Sequence, residues 1–158
     1  MFDLSKAVGH AKRNATAKIQ IELGALRVIL HCKPATEDNP AYHNAWARRN
    51  TRRFSRGTPQ VTARFMDETR REDAELFAHH CVTGWDAESL APFTTDGKPP
   101  KFSPTECMKF FESLLDEPSG DGREAFDTFR SDIRDRQMFV EQVDPAEVAE
   151  QAGNSQGA

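Results

Sequence analysis

The stretch from His80 to Leu115 constrains the fold more than any other part of this 158-residue chain. It reads as one helix end, a polar turn and a second helix start. At the far end Ser103 can accept hydrogen bonds from the orphan N–H groups of a first helical turn, and Pro104 has the fixed φ suited to the first helical position. Glu106 stands three residues after Ser103, as a capping box requires. Cys107, Met108, Phe110, Phe111, Leu114 and Leu115 then follow at helical spacing. At the near end His80-Cys81-Val82-Thr83-Gly84-Trp85 reads as a helix terminus. Gly84, lacking a Cβ, suits a left-handed cap, and Trp85 is an apolar anchor just beyond it. The polar turn is Asp96-Gly97-Lys98-Pro99-Pro100.

Upstream, Ile19, Ile21 and Leu23 alternate with Gln20 and Glu22, and after Gly24-Ala25 the run Leu26 to Leu30 is apolar and β-branched. This period of two predicts a hairpin over 18–32. Asn39-Pro40 has the grammar of a helix start, and the spacing predicts helices over about 40–56, 59–83, 104–115 and 123–140. Thr58-Pro59 supplies the second start, with Val61, Phe65, Leu76, Phe77, Cys81 and Val82 as its buried stripe. Phe126, Phe129, Ile133 and Phe139 supply the stripe of the last helix. Residues 1–17 read as an arm or short helix, and 142–158 as a disordered tail. The expected fold class is therefore α+β, mostly α: an N-terminal β-hairpin followed by about four helices packed as a small bundle, in one domain over 18–141.

Charge is unevenly placed. Residues 1–66 hold 12 Lys and Arg against 4 acids, whereas residues 111–158 hold 4 Arg against 12 acids. The basic side centres on Arg48, Arg49, Arg52, Arg53 and Arg56, which share one broad helical face, with Arg64 following. Such a face is a solvated surface, a contact for an acidic protein or for this chain's own acidic end, or a phosphate contact; a sequence pI of 5.7 argues against a dedicated nucleic-acid binder. The acids from Asp67 to Glu75 are interleaved with Arg70 and Arg71, the pattern of a salt-bridged face.

Three widely spaced cysteines, Cys32, Cys81 and Cys107, read as free thiols. Neighbouring His79 and His80 point about 100° apart on a helix, and no paired ligand spacing occurs, so no metal is expected. No nucleophile elbow, phosphate loop or dinucleotide fingerprint is present, so the chain reads as a non-enzyme with neither catalytic residues nor a cofactor. The longest apolar runs fall far short of the ~20 residues a membrane helix needs.

In the order of these pieces the chain resembles the tail assembly chaperones of long-tailed bacteriophages and prophages. The resemblance rests on the short β segment, Asn39-Pro40-Ala41-Tyr42 opening a basic helix, Gly84-Trp85, Asp96-Gly97-Lys98-Pro99, and Phe102-Ser103-Pro104, and spans roughly residues 18–140. It implies a protein of the host cytoplasm, absent from the finished virion. The implied partners are the tape measure protein, the tail tube protein and a longer frameshifted form of the chain itself. The alternatives are a minor tail or connector protein of the virion and a small nucleic-acid-associated regulator using the Arg-rich helix. Arg49, Arg53, Trp85, Phe110 and Phe111 are the candidate partner contacts, because exposed aromatic and Arg side chains dominate interfaces.

Overall fold

A computed structural model describes residues 1–4, 7 and 14–140; the expected tail, 142–158, lies outside the described residues. The hairpin forms from β1 (Ala17–Leu23) and β2 (Leu26–Cys32), in a register that pairs Ile19 with Leu30 and Ile21 with Val28. Alternation decides which face is buried: Ile19, Ile21, Leu26, Val28, Leu30 and Cys32 point inward, while Lys18, Gln20, Glu22 and Arg27 point to water. Gly24, first of the two turn residues, takes φ of 58°, a conformation that opens tight hairpins and that glycine adopts without steric cost.

Among the described residues four helices follow: α1 (Pro40–Phe54), α2 (Ala63–His80), α3 (Pro104–Leu115) and α4 (Asp121–Arg134). Two 3-10 turns, Glu88–Phe93 and Arg136–Phe139, accompany them. The fold is thus α+β and mostly α, as expected, and α3 has the expected bounds. Its Ser103 side chain accepts from the Glu106 N–H at 3.0 Å, although the Glu106 carboxylate pairs with Lys109 at 3.0 Å.

Several expectations are corrected. The second helix does not start at Thr58-Pro59: Thr62 is its cap, accepting from the Phe65 N–H at 3.1 Å, and Val61 stands 74% exposed just outside it. Nor does that helix run on through Thr83. After His80 the chain turns into β3 (Val82–Trp85), which pairs antiparallel with β2 and makes a three-stranded sheet ordered β1-β2-β3. Gly84 is therefore a strand residue opposite His31, not a left-handed cap. The last helix ends at Arg134, because Asp135 is extended; buried Phe139 belongs to the following 3-10 turn.

α2, α3 and α4 pack on one another, α4 also lies against β1, and the core sits between sheet and helices. At its centre Phe111 of α3 meets Phe126 and Phe129 of α4 at ring-centroid distances of 5.4 and 5.5 Å, and Phe77 of α2 meets the same two rings at 6.2 and 6.0 Å. The α3–α4 turn is equally tight. A Cβ on Gly122 would lie 2.2 Å from the Leu114 carbonyl oxygen and 2.9 Å from the Glu117 Cβ, so backbone itself blocks any side chain there. Gly122→Ala is expected to lower stability by about 1–3 kcal/mol through overpacking, read as a lower urea midpoint at an unchanged slope.

Cys32, Cys81 and Cys107 are all buried free thiols, and burial pushes each of them well above the ordinary thiol range. A buried neutral thiol is a poor nucleophile. A disulfide-exchange reagent is expected to titrate none of the three in the native protein at neutral pH and all three in guanidinium; rapid native labelling would contradict this burial.

Candidate interaction surfaces

The largest charged cluster is internal. Asp73 of α2 is only 1% exposed and accepts from Arg49 of α1, from Arg130 at 3.3 Å and from Arg134 at 3.1 Å, so one carboxylate joins three helices. Tyr42 hydrogen-bonds Arg134 from the α1 side; burial pushes its phenol up and the arginine partly offsets this. Around this centre Arg70 grips Asp127 through two bonds of 2.9 and 3.0 Å, and Arg71 bridges Asp67 and Asp116 at 3.0 and 2.7 Å. A bidentate pair fixes geometry as well as charge, so Arg70–Asp127 sets how α2 meets α4, while Arg71–Asp116 ties α2 to the end of α3.

The motif residues also hold the fold together. Asn39 caps α1 by accepting from the Tyr42 N–H, and its amide donates to the His80 carbonyl at 2.8 Å, tying the start of α1 to the end of α2. Pro40 occupies the first helical turn and Tyr42 is buried against Phe77 at 6.1 Å.

Of the five candidate contacts, two are turned inward. Phe111 is 0% exposed at the centre of the aromatic cluster. Arg49 is 9% exposed and engaged with Asp73 and Glu72. Neither presents a surface. Arg53 is half-buried: it donates to the Thr69 hydroxyl at 2.7 Å, lies 3.5 Å from Glu72 and stacks 4.2 Å from the centre of the Phe65 ring. The regular arginine stripe of the sequence is thus divided. Arg48, Arg52 and Arg56 face water with no ion pair among the described residues, while Arg49 and Arg53 knit α1 to α2.

The remaining two candidates stand together. Trp85 of β3 and Phe110 of α3 meet edge to face at 6.2 Å, and Phe102 meets Trp85 at 5.3 Å. The Trp85 indole N–H donates to the Pro100 carbonyl at 3.0 Å, which satisfies the polar end of the ring and leaves its apolar body facing a cleft. That cleft, of about 250 Å³, lies between the hairpin tip at Leu23 and Leu26, the Leu90–Phe93 turn and α3. Phe93, on its rim, is 55% exposed. It is large enough for one or two apolar side chains of a partner.

A second concavity, of about 1150 Å³, runs between α1 and α2 and is lined by Arg48, Arg52, Leu76, His79, His80 and Glu75 among others. It is open, and charged and polar side chains share its lining with Ala45, Ala47 and Leu76. Sequence reasoning missed Asp73, because a single acid inside a run of mixed charges carries no local mark of burial. It also missed Phe93, which precedes the polar turn and belongs to no periodic stripe.

Among the described residues no group of three His, Cys, Asp or Glu side chains is placed to hold a metal ion, and no helix is long and apolar enough to cross a membrane. Comparison with known proteins finds no match for this chain, whether among family models, curated proteins or solved structures.

Proposed function

We propose that the protein is a non-enzymatic assembly factor of the tail assembly chaperone kind. In this reading it holds an apolar helical segment of the tape measure protein in soluble form and helps bring tail tube subunits to it. The observation that carries the proposal is the cleft framed by Trp85, Phe93 and Phe110. It is a recess of about 250 Å³ lined mainly by apolar side chains, with Glu106 and Lys109 at one side and an exposed phenylalanine at its rim. Recesses of this kind accept the anchor residues of an amphipathic helix, spaced at i, i+3 or i+4. Shielding such stripes prevents the aggregation that large exposed apolar patches cause. The charged exterior would keep the resulting complex dissolved and steer encounter.

The test is co-expression of the tagged chain with the tape measure and tail tube proteins encoded beside it, followed by pull-down, solubility assay and mass spectrometry of purified particles. Soluble co-complexes with the chain absent from particles are expected. Stoichiometric presence in particles would instead make it a structural tail or connector component. Phe93→Ser is expected to weaken capture of the tape measure segment while leaving the melting temperature nearly unchanged, since half-exposed Phe93 contributes little to the core.

A further inference from the structure

The exposed arginines of α1 lack an assigned counter-charge, and the chain itself contains one. Arg48 and Arg52 stand one helical turn apart, with Arg56 in the turn that follows α1, and none makes an ion pair among the described residues. His79 and His80 of α2 stand across the groove. His80 is held below the ordinary imidazole range, first by partial burial and then by His79 and Arg48, which records the positive potential there. Of the acids on this groove, Glu72 lies between Arg49 and Arg53, leaving Glu75 against Arg48 and Arg52.

Residues 141–158 carry Glu141, Asp144, Glu147 and Glu150 and no Lys or Arg. They follow directly on Val140, and the place where the described chain ends matters. Phe139 lines a cavity together with Asn39 and Pro40, and Arg136 pairs with Glu37 at 3.0 Å, so the chain leaves the domain beside the N-terminus of α1. From Val140 the four residues to Asp144 reach about 13 Å when extended at ~3.3 Å each, and the six from there to Glu150 add about 9 Å at the helical rise of 1.5 Å, against about 12 and 18 Å from Pro40 to Arg48 and Arg52 along α1. The segment also has a helix-start sequence: Asp144 followed by Pro145, with Glu147 at the third helical position, as in Asn39-Pro40 and Ser103-Pro104-Thr105-Glu106.

We propose that the groove between α1 and α2 is the docking surface for this chain's own acidic segment 141–158, whose Asp144, Glu147 and Glu150 meet Arg48 and Arg52, with Arg56 just beyond the groove. The inference is independent of the assembly reading. It gives the protein an intramolecular cover for its basic face, which any acidic partner using that face must displace. So short a tether gives an effective concentration of about 1 mM, so a contact with a Kd near that value is about half occupied.

The test uses the full chain, ¹⁵N-labelled and carrying a spin label at Ala152→Cys; the three native thiols are buried and stay unlabelled. The amides around Arg48 and Arg52 are expected to lose more than half their intensity, because in fast exchange a docked state occupied about half the time still passes on about half of a very large paramagnetic relaxation rate. The loss should vanish near 1 M salt, where screening acts over only ~3 Å. It should also vanish in R48E/R52E and return when E147R/E150R is added to that background. Unaltered intensities in the labelled wild-type chain, or broadening that survives R48E/R52E, would overturn the assignment. Broadening in a mixture of ¹⁵N-labelled unmodified chains with spin-labelled unenriched chains would place the segment on a second copy, and so overturn the intramolecular docking.

Discussion

Replacing Asp73 with Ala is expected to destabilise the protein by about 3–5 kcal/mol, the usual cost of removing one partner from a buried ion pair. The reason lies in what remains. Arg49, Arg130 and Arg134 converge on this carboxylate from two helices, and without it three cations face one another in a partly desolvated space. Domains of this size are typically stable by only about 5–15 kcal/mol, so the variant should melt about 10 °C lower at 2–4 °C per kcal/mol. Thermal unfolding followed by far-UV circular dichroism checks this. The control is Arg64→Ala, which removes an exposed pair with Glu68 at 3.0 Å and should change stability by less than about 1 kcal/mol. Equal effects at both positions would mean that Asp73 is solvated and that α1, α2 and α4 are held together in some other way.

Phe111→Ala is expected to cost a further large amount, about 3–5 kcal/mol, the range for emptying a buried aromatic site. Phe111 touches Phe126 and Phe129 directly and Phe110 at 6.1 Å, so its loss opens a cavity bounded by α3 and α4 and removes several edge and tilted ring contacts at once. Phe110→Ala should cost less, because that ring is only half-buried and turns toward the Trp85 cleft. Chemical denaturation of the two variants side by side separates the roles of these adjacent residues. Greater destabilisation by Phe110→Ala than by Phe111→Ala would reverse the assignment of core and cleft.

The two positions also show how a candidate site becomes divided. Adjacent helical residues point about 100° apart, and sequence alone does not say which of two phenylalanines faces the core. The same holds for Arg48 and Arg49, or Arg52 and Arg53. Five arginines on one broad face look uniform until a neighbouring helix presents Glu72 and Asp73, after which two become cross-links and three remain a surface. Trp85 reads as an anchor from sequence and is one, although on a strand: its ring packs on Phe102 and Phe110, and its N–H is satisfied by Pro100.

The sequence by itself determined the features governed by local chemistry. The hairpin follows from period-two alternation and Gly24, the start of α1 from Asn39-Pro40, and α3 from Ser103-Pro104 ahead of a dense apolar stripe. At the two helix starts the groups being satisfied lie within a few residues of those satisfying them, and in the hairpin the partners lie just across a two-residue turn. Only the tertiary structure decided the rest. Val82–Trp85 is a strand because β2 offers a free edge for its backbone, a partner about fifty residues away that overrides the helical pattern leading into it. The Asp73 cluster likewise exists only once α1, α2 and α4 have packed, since it is proximity in space that makes one carboxylate the counter-charge of three arginines.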